Sequence, residues 1–269
     1  MQNNNSKKIR SNLITKMVKL LSLTAVLSLS CNALAAPING TGNITPDVIF
    51  GDGNANGSWT GEALNGVEVA LRGKLRYNAA GSPENTFNYD GDRTYTFDPT
   101  LSLLPANRSV FNFEYAVNVD AGANPSGAML DDFTYLFEFD VDPTAGTDFV
   151  SFDIITLKTD NELGDSGTAN GDGLKDIPNY ASNLSNYSVA QNSQNRGFGY
   201  SGLLDAATEG MFTYNLTVLD ANGGEVAISS IDIVVGSVPV SAPSTFACLF
   251  AGVFVLSFAG LHRRRKQNS

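Results

Sequence analysis

Histidine and cysteine are almost missing from this chain. Its 269 residues include one His and two Cys, and all three fall in the terminal stretches, at Cys31, Cys248 and His262. The long middle region therefore has no thiol and no imidazole. Ser-His-Asp and Cys-His catalysis are excluded there, as are zinc and copper sites built on His or Cys. A disulfide-stapled module is excluded as well, so stability must come from an apolar core, which about 200 residues can build. Basic residues are scarce in the same region. All 27 acidic residues lie between Asp47 and Asp232, against eight of the 17 basic ones, a formal charge of −19 where the whole chain carries −10. That balance excludes a nucleic-acid partner, which needs a basic footprint. No repeat of 20–50 residues is present, which excludes solenoids and propellers.

The two ends are a different kind of polymer. Lys16 and Lys19 flank an apolar stretch from about Leu20 to Leu29, and the small residues Ala33-Leu34-Ala35 follow. A basic flank, a short apolar run and an A-x-A site predict that residues 1–35 are a secretory signal peptide with Ala33 and Ala35 as its cleavage motif. Cys31 would leave with it. A lipoprotein reading of Cys31 fails because Ser28 stands where a leucine is expected. At the other end, Phe246–Leu261 is apolar or small apart from Ser257, and Arg263-Arg264-Arg265-Lys266 follows directly. The pattern predicts a transmembrane helix over about 245–262 with its basic end in the cytoplasm and the acidic domain facing outward.

The order Pro243-Ser244-Thr245, apolar helix, then Arg263, Arg264 and Arg265 resembles the PEP-CTERM sorting domain of Gram-negative bacteria. The resemblance covers residues 238–269 and implies processing by a membrane-embedded, exosortase-type enzyme. The usual Pro-Glu-Pro is here Ser241-Ala242-Pro243, so the motif lacks its Glu. The stretches GNANGSW (53–59), NGVEVALRGKLRYN (65–78), NTFNYDGDRTYTF (85–97) and LDDFTY (130–135) are also similar to domains found ahead of such tails. That likeness implies an architecture and no activity.

The region 36–237 is patterned for β-structure. In 67–77, Val67, Val69, Leu71, Leu75 and Tyr77 share one face, while Glu68, Arg72, Lys74 and Arg76 share the other. Alternation of period 2 predicts a strand with one face buried. Its polar face carries three of the region's eight cations, whose expected role is cross-strand pairing with carboxylates. The pattern recurs in 110–119, 133–141, 211–219 and 225–235. Weaker strands are expected over 47–50, 149–157 and 184–190. Asp90-Gly91 and Ala221–Gly224 predict hairpin turns. The expected fold is all-β: an antiparallel, jelly-roll-like β-sandwich between a signal helix and a transmembrane helix, with a closed barrel as the alternative.

The remaining chemistry is carboxylate and amide. Asp165–Asp176 reads DSGTANGDGLKD. Asn170, Asp172 and Asp176 fit the third, fifth and ninth positions of a calcium loop, with Gly173 at the sixth. Thr168 and Asn179 stand where the end carboxylates belong, so an exposed acidic turn is the favoured reading and calcium is the candidate cofactor. Trp59, the single tryptophan, is expected to cap one end of the core rather than to stack on sugar. The sequence thus points to an exported surface or matrix protein without a catalytic set. A module that binds exopolysaccharide is the second reading, and a carboxylate-based glycosidase the third.

Overall fold

A computed structural model describes residues 38–198 and 203–236. The signal and tail residues Ala33, Ala35, Pro243, Ser244, Thr245, Arg263, Arg264 and Arg265 lie outside this range, as does the expected helix over 245–262. Among the described residues eleven strands form two sheets. In chain order they are β1 (Ile38–Gly42), β2 (Trp59–Leu64), β3 (Val67–Leu75), β4 (Thr94–Phe97), β5 (Phe111–Asn118), β6 (Thr134–Asp140), β7 (Phe149–Asp153), β8 (Glu162–Gly164), β9 (Val189–Gln194), β10 (Gly210–Leu219) and β11 (Glu225–Val235). Two single helical turns, α1 (Ile154–Leu157) and α2 (Tyr180–Asn183), interrupt them. Among the described residues no helix is long and apolar enough to cross a membrane.

Sheet I runs β1-β2-β3-β5-β9-β8 and sheet II runs β4-β11-β10-β6-β7. Every described strand finds its partners between Ile38 and Val235, so a segment spanning residues 37–237 contains both sheets and the core between them. The sheets meet face to face through aromatic side chains, as in a sandwich. Phe113 of β5 stacks on Phe137 of β6 at 5.2 Å and lies 5.1 Å from Tyr214 of β10. Phe97 of β4 stacks on Phe111 of β5 at 5.6 Å. Such pairs add about 0.5–1.5 kcal/mol each beyond area burial. Close approach at this seam depends on Gly73, because a Cβ there would lie 2.9 Å from the Tyr95 Cβ and 3.0 Å from the Phe97 ring.

Local chemistry sets the tight connections. Asn65-Gly66 joins β2 to β3, and both residues have positive φ (53° and 85°), which suits a two-residue hairpin of the primed type. The Ala221–Gly224 turn joins β10 to β11 as expected, with the Asp220 carboxylate accepting from the amides of Asn222 and Gly224. Asp90-Gly91 lies between Tyr89 and Tyr95, which form an antiparallel bridge.

The structure departs from the sequence reading in several places. Sheet II is not purely antiparallel, since β4 pairs in parallel with β11 from Asp232↔Thr94 to Val235↔Phe97. The stretch 149–157 is strand only to Asp153; the Asp153 side chain then caps α1 by accepting from the amides of Ile155 and Thr156. The strand expected over 184–190 instead begins at Val189 and continues through the polar residues to Gln194.

The largest departure concerns the outer face of sheet I. Residues 47–50 form no strand. They belong to a strap, residues 43–58, that crosses this face and buries Ile44, Val48 and Phe50 against Trp59, Ala70 and Ala116. The face expected to meet solvent is therefore covered, with Glu68, Arg72 and Lys74 at 8%, 0% and 7% exposure. A covered strap without strand partners must still satisfy its backbone groups. The polar side chains of the sheet do this. Glu68 accepts from the Thr45 amide at 2.9 Å, and Asn118 donates to the Thr45 carbonyl at 2.7 Å. Gln191 accepts from the Ile49 amide at 2.9 Å, and Arg72 donates to the Ala55 and Gly57 carbonyls.

Candidate functional site

Beside the strap, with Phe50 and Asn54 of the strap in its wall, lies a cleft of about 190 Å³ lined also by Lys74, Leu75, Arg76, Pro83, Asn112, Glu114 and Ser193. Strand register builds its floor. Arg72 of β3 lies opposite Glu114 of β5, which lies opposite Ser193 of β9. The adjacent row places Lys74 opposite Asn112.

Within the floor, Arg72 has a structural task. Its Nε donates to the Glu114 carboxylate at 2.6 Å with both side chains buried, and its guanidinium lies 4.1 Å above the Trp59 ring and 4.4 Å from Phe87. The expected cross-strand pairing is thus present for Arg72. Trp59 is 1% exposed beneath the strap, so it packs rather than presenting a platform for sugar. Lys74 is held less completely. Its ammonium contacts the Asn54 side-chain carbonyl and lies 4.0 Å from Glu114, beyond hydrogen-bond reach. Burial is the main influence on Lys74 and lowers its pKa; Glu114 opposes this, and the charges of Arg72 and Arg76 add to the lowering. Arg76 sits half-buried at the rim with its guanidinium 4.6 Å from the Tyr77 ring. Asn112 donates to the Ser193 hydroxyl at 2.8 Å and accepts from Asn195 at 3.0 Å, which fixes both groups toward the cleft.

Chemically this is a small pocket of fixed donors and acceptors with surplus positive charge. Its one carboxylate, Glu114, is closed by Arg72. Lys74 and Arg76 were visible in the sequence as a cationic stripe, whereas Asn112, Glu114 and Ser193 were not. They come from strands 36 or more residues away along the chain, counted from Arg76 to Asn112, and carry no motif.

The candidate calcium residues do not assemble in this way. Asn170 donates its side-chain amide to the Asn54 carbonyl at 2.8 Å. Asp176 accepts from the side chains of Asn179 and Asn183. Asp172 is exposed. The loop is folded by a bridge between Leu163 and Leu174 and pinned to the strap through Gly171 and Gly173 amides on the Val48 and Ile49 carbonyls. Among the described residues, no three His, Cys, Asp or Glu side chains gather as a metal site.

No protein-family model matches the chain, and no curated protein matches it.

Proposed function

We propose that this protein is exported, held at the cell surface or released into the matrix by processing of its tail, and works there as a non-catalytic module that binds polysaccharide. The terminal stretches support the first half: a signal peptide over 1–35 and a PEP-CTERM-like tail over 238–269 would leave the β domain outside, with an exosortase-type enzyme as processing partner. The binding half is carried by one observation, the cleft over β3, β5 and β9. Its amides, hydroxyl and amine are positioned by a rigid sheet, which is how sugar hydroxyls are held. The absence of an exposed aromatic among its lining residues makes hydrogen bonding, rather than ring stacking, the source of its selectivity.

A catalytic reading has less support. A glycosidase needs two carboxylates facing each other about 5–9 Å apart. The cleft lining has one, already paired with a guanidinium at 2.6 Å.

A glycan array probed with residues 37–237 tests the binding reading, with Asn112→Ala as the control for the cleft. The expected result is binding to a restricted set of polysaccharides that is lost in the variant. Failure of the intact domain to bind any glycan refutes it. Export is tested separately, by fusing a reporter enzyme that works only outside the cytoplasm after residue 237. Activity inside the cytoplasm would sink that half.

A further inference from the structure

We infer that the cleft selects an acidic sugar unit, a pyranose bearing a carboxylate, with the carboxylate at Lys74 and Arg76 and ring hydroxyls at Asn112 and Ser193. The inference rests on the polysaccharide-binding reading and narrows it.

Charge distribution is the first argument. The domain carries 27 acidic residues against eight basic ones, and such a field repels anions from most of its surface. Three of the eight cations nevertheless converge on one spot, because Arg72, Lys74 and Arg76 alternate along one strand and its continuation. Among the residues lining the cleft the one carboxylate is Glu114. The Arg72–Glu114 pair closes at 2.6 Å, which leaves Lys74 only a long ion pair with Glu114 at 4.0 Å and Arg76 without a carboxylate partner among the described residues. Placing two like charges beside each other in a half-dry site is unfavourable, and an anion seated between them offsets the cost.

Unused donor capacity is the second argument. An ammonium has three N–H donors. Lys74 directs one at Asn54 and stands 4.0 Å from Glu114. Arg76 has no carboxylate partner among the described residues, and its ring contact with Tyr77 holds the guanidinium at the cleft rim. A carboxylate between the two would complete charge-assisted hydrogen bonds on both sides.

Size and polarity then choose among anions. The cleft volume of about 190 Å³ lies below the range of about 300–1,000 Å³ that holds a drug-sized ligand, which favours a unit the size of one sugar ring. The apolar edges of Leu75 and Pro83 beside Asn112 and Ser193 suit a ring that is apolar on its C–H face and hydroxylated at its rim.

The test is a calorimetric titration of residues 37–237 with four probes: glucuronate as free monosaccharide, an oligogalacturonate, glucose and acetate. The expected order is oligogalacturonate and glucuronate above glucose and acetate by about tenfold or more, the loss anticipated when one charge-assisted contact is removed. Binding should weaken as NaCl is raised from about 0.05 to about 0.5 M. It should fall by a similar factor in Arg76→Gln, a half-exposed position whose substitution leaves the fold intact, and in Lys74→Gln. Equal and measurable binding of glucose and glucuronate would overturn the acidic-sugar inference while leaving the polysaccharide reading standing. Acetate binding as tightly as glucuronate would overturn the sugar component. Binding that persists in both variants would overturn the site, and no binding of any probe or array glycan would remove the inference together with the reading beneath it. Oligomer binding without monomer binding supports the site as one that reads a polymer.

Discussion

Glu68 offers the most direct check on how the strap is held. Its carboxyl is 8% exposed on the outer face of sheet I, and the Thr45 amide donates to it at 2.9 Å. Burial raises its pKa from 4.5 to about 7, and the Thr45 hydrogen bond opposes the rise only in part. The folded protein therefore keeps this proton up to about pH 7, while the unfolded chain releases it near 4.5. Between those values the unfolded state binds fewer protons, so stability falls as pH rises. Glu68 contributes its full stabilisation below pH 4.5 and has lost it above about pH 7. At 1.36 kcal/mol per pH unit, the span corresponds to about 3 kcal/mol. Glu68→Gln keeps an acceptor for the Thr45 amide and has no proton to lose. The stability of E68Q minus that of the parent should thus grow by about 3 kcal/mol from pH 4.5 to pH 8. Urea unfolding of residues 37–237 reads this out through the single tryptophan, since Trp59 and Glu68 line the same small hollow. The difference between the two proteins cancels the titration of the other acids. Parallel stability curves for parent and E68Q across that range would refute the argument, and the Glu68 environment would then have to be wet.

Three further perturbations address other parts of the molecule. Arg72→Met removes the partner of Glu114 and two donors to the strap, and should cost about 3–5 kcal/mol in urea unfolding; Arg72→Lys should recover little, because an ammonium cannot replace a planar fork held between two rings. A loss below about 1 kcal/mol would show that the strap does not depend on Arg72. Gly73→Ala drives a Cβ into Tyr95 and Phe97 and should cost about 1–3 kcal/mol; a neutral result would mean that the sheets separate freely at that seam. Added NaCl near 0.1 M should raise the melting temperature by screening the acidic surface, and CaCl2 at equal ionic strength should give the same shift; a calcium excess that disappears in Asp172→Ala would instead establish a site in the 165–176 loop.

Much of the fold could be read from alternation alone. In β5, β6 and, from Phe212 on, β10 the inward residues are large and apolar at every second position and line the core, and β3 and β11 keep the pattern apart from Gly73, Ala227 and Ser229. What alternation could not tell was whether the polar partners of those residues meet water. Glu68, Arg72, Asn118 and Gln191 look like surface residues, yet they bind the backbone of a strap that lies up to 144 residues away along the chain. The strap itself, with Val48, Ile49 and Phe50, resembled a strand because burial and β-pairing leave the same apolar run. Strand β9 was hidden for a related reason. Its sequence VAQNSQ is polar on both faces, since Gln191 serves the strap outside while Asn192 donates to Asn161 inside at 3.0 Å. The parallel β4–β11 pair has no local signature at all. For the cleft, the cations on β3 were legible and their surroundings were not, because those surroundings exist only once three strands are in register.

The position of β11 bears on how the domain would carry a load. On the proposed arrangement the tether leaves from the end of this strand, and any drag on a captured polymer is transmitted back to it. Asp232–Val235 is held on both sides at once, antiparallel by Met211–Thr213 and Gly210 of β10 and parallel by β4. A pull along the strand would strain these hydrogen bonds together, in shear. The first strand is held differently: β1 lies at a sheet edge, paired with β2 alone and in irregular register, so a pull there would peel its bonds one after another. Resistance to forced unfolding follows the unfolding barrier rather than equilibrium stability. The domain is therefore polarised mechanically, with its stiff attachment at the C-terminal side and its compliant one at the N-terminal side, which is the orientation a C-terminally moored adhesive would need.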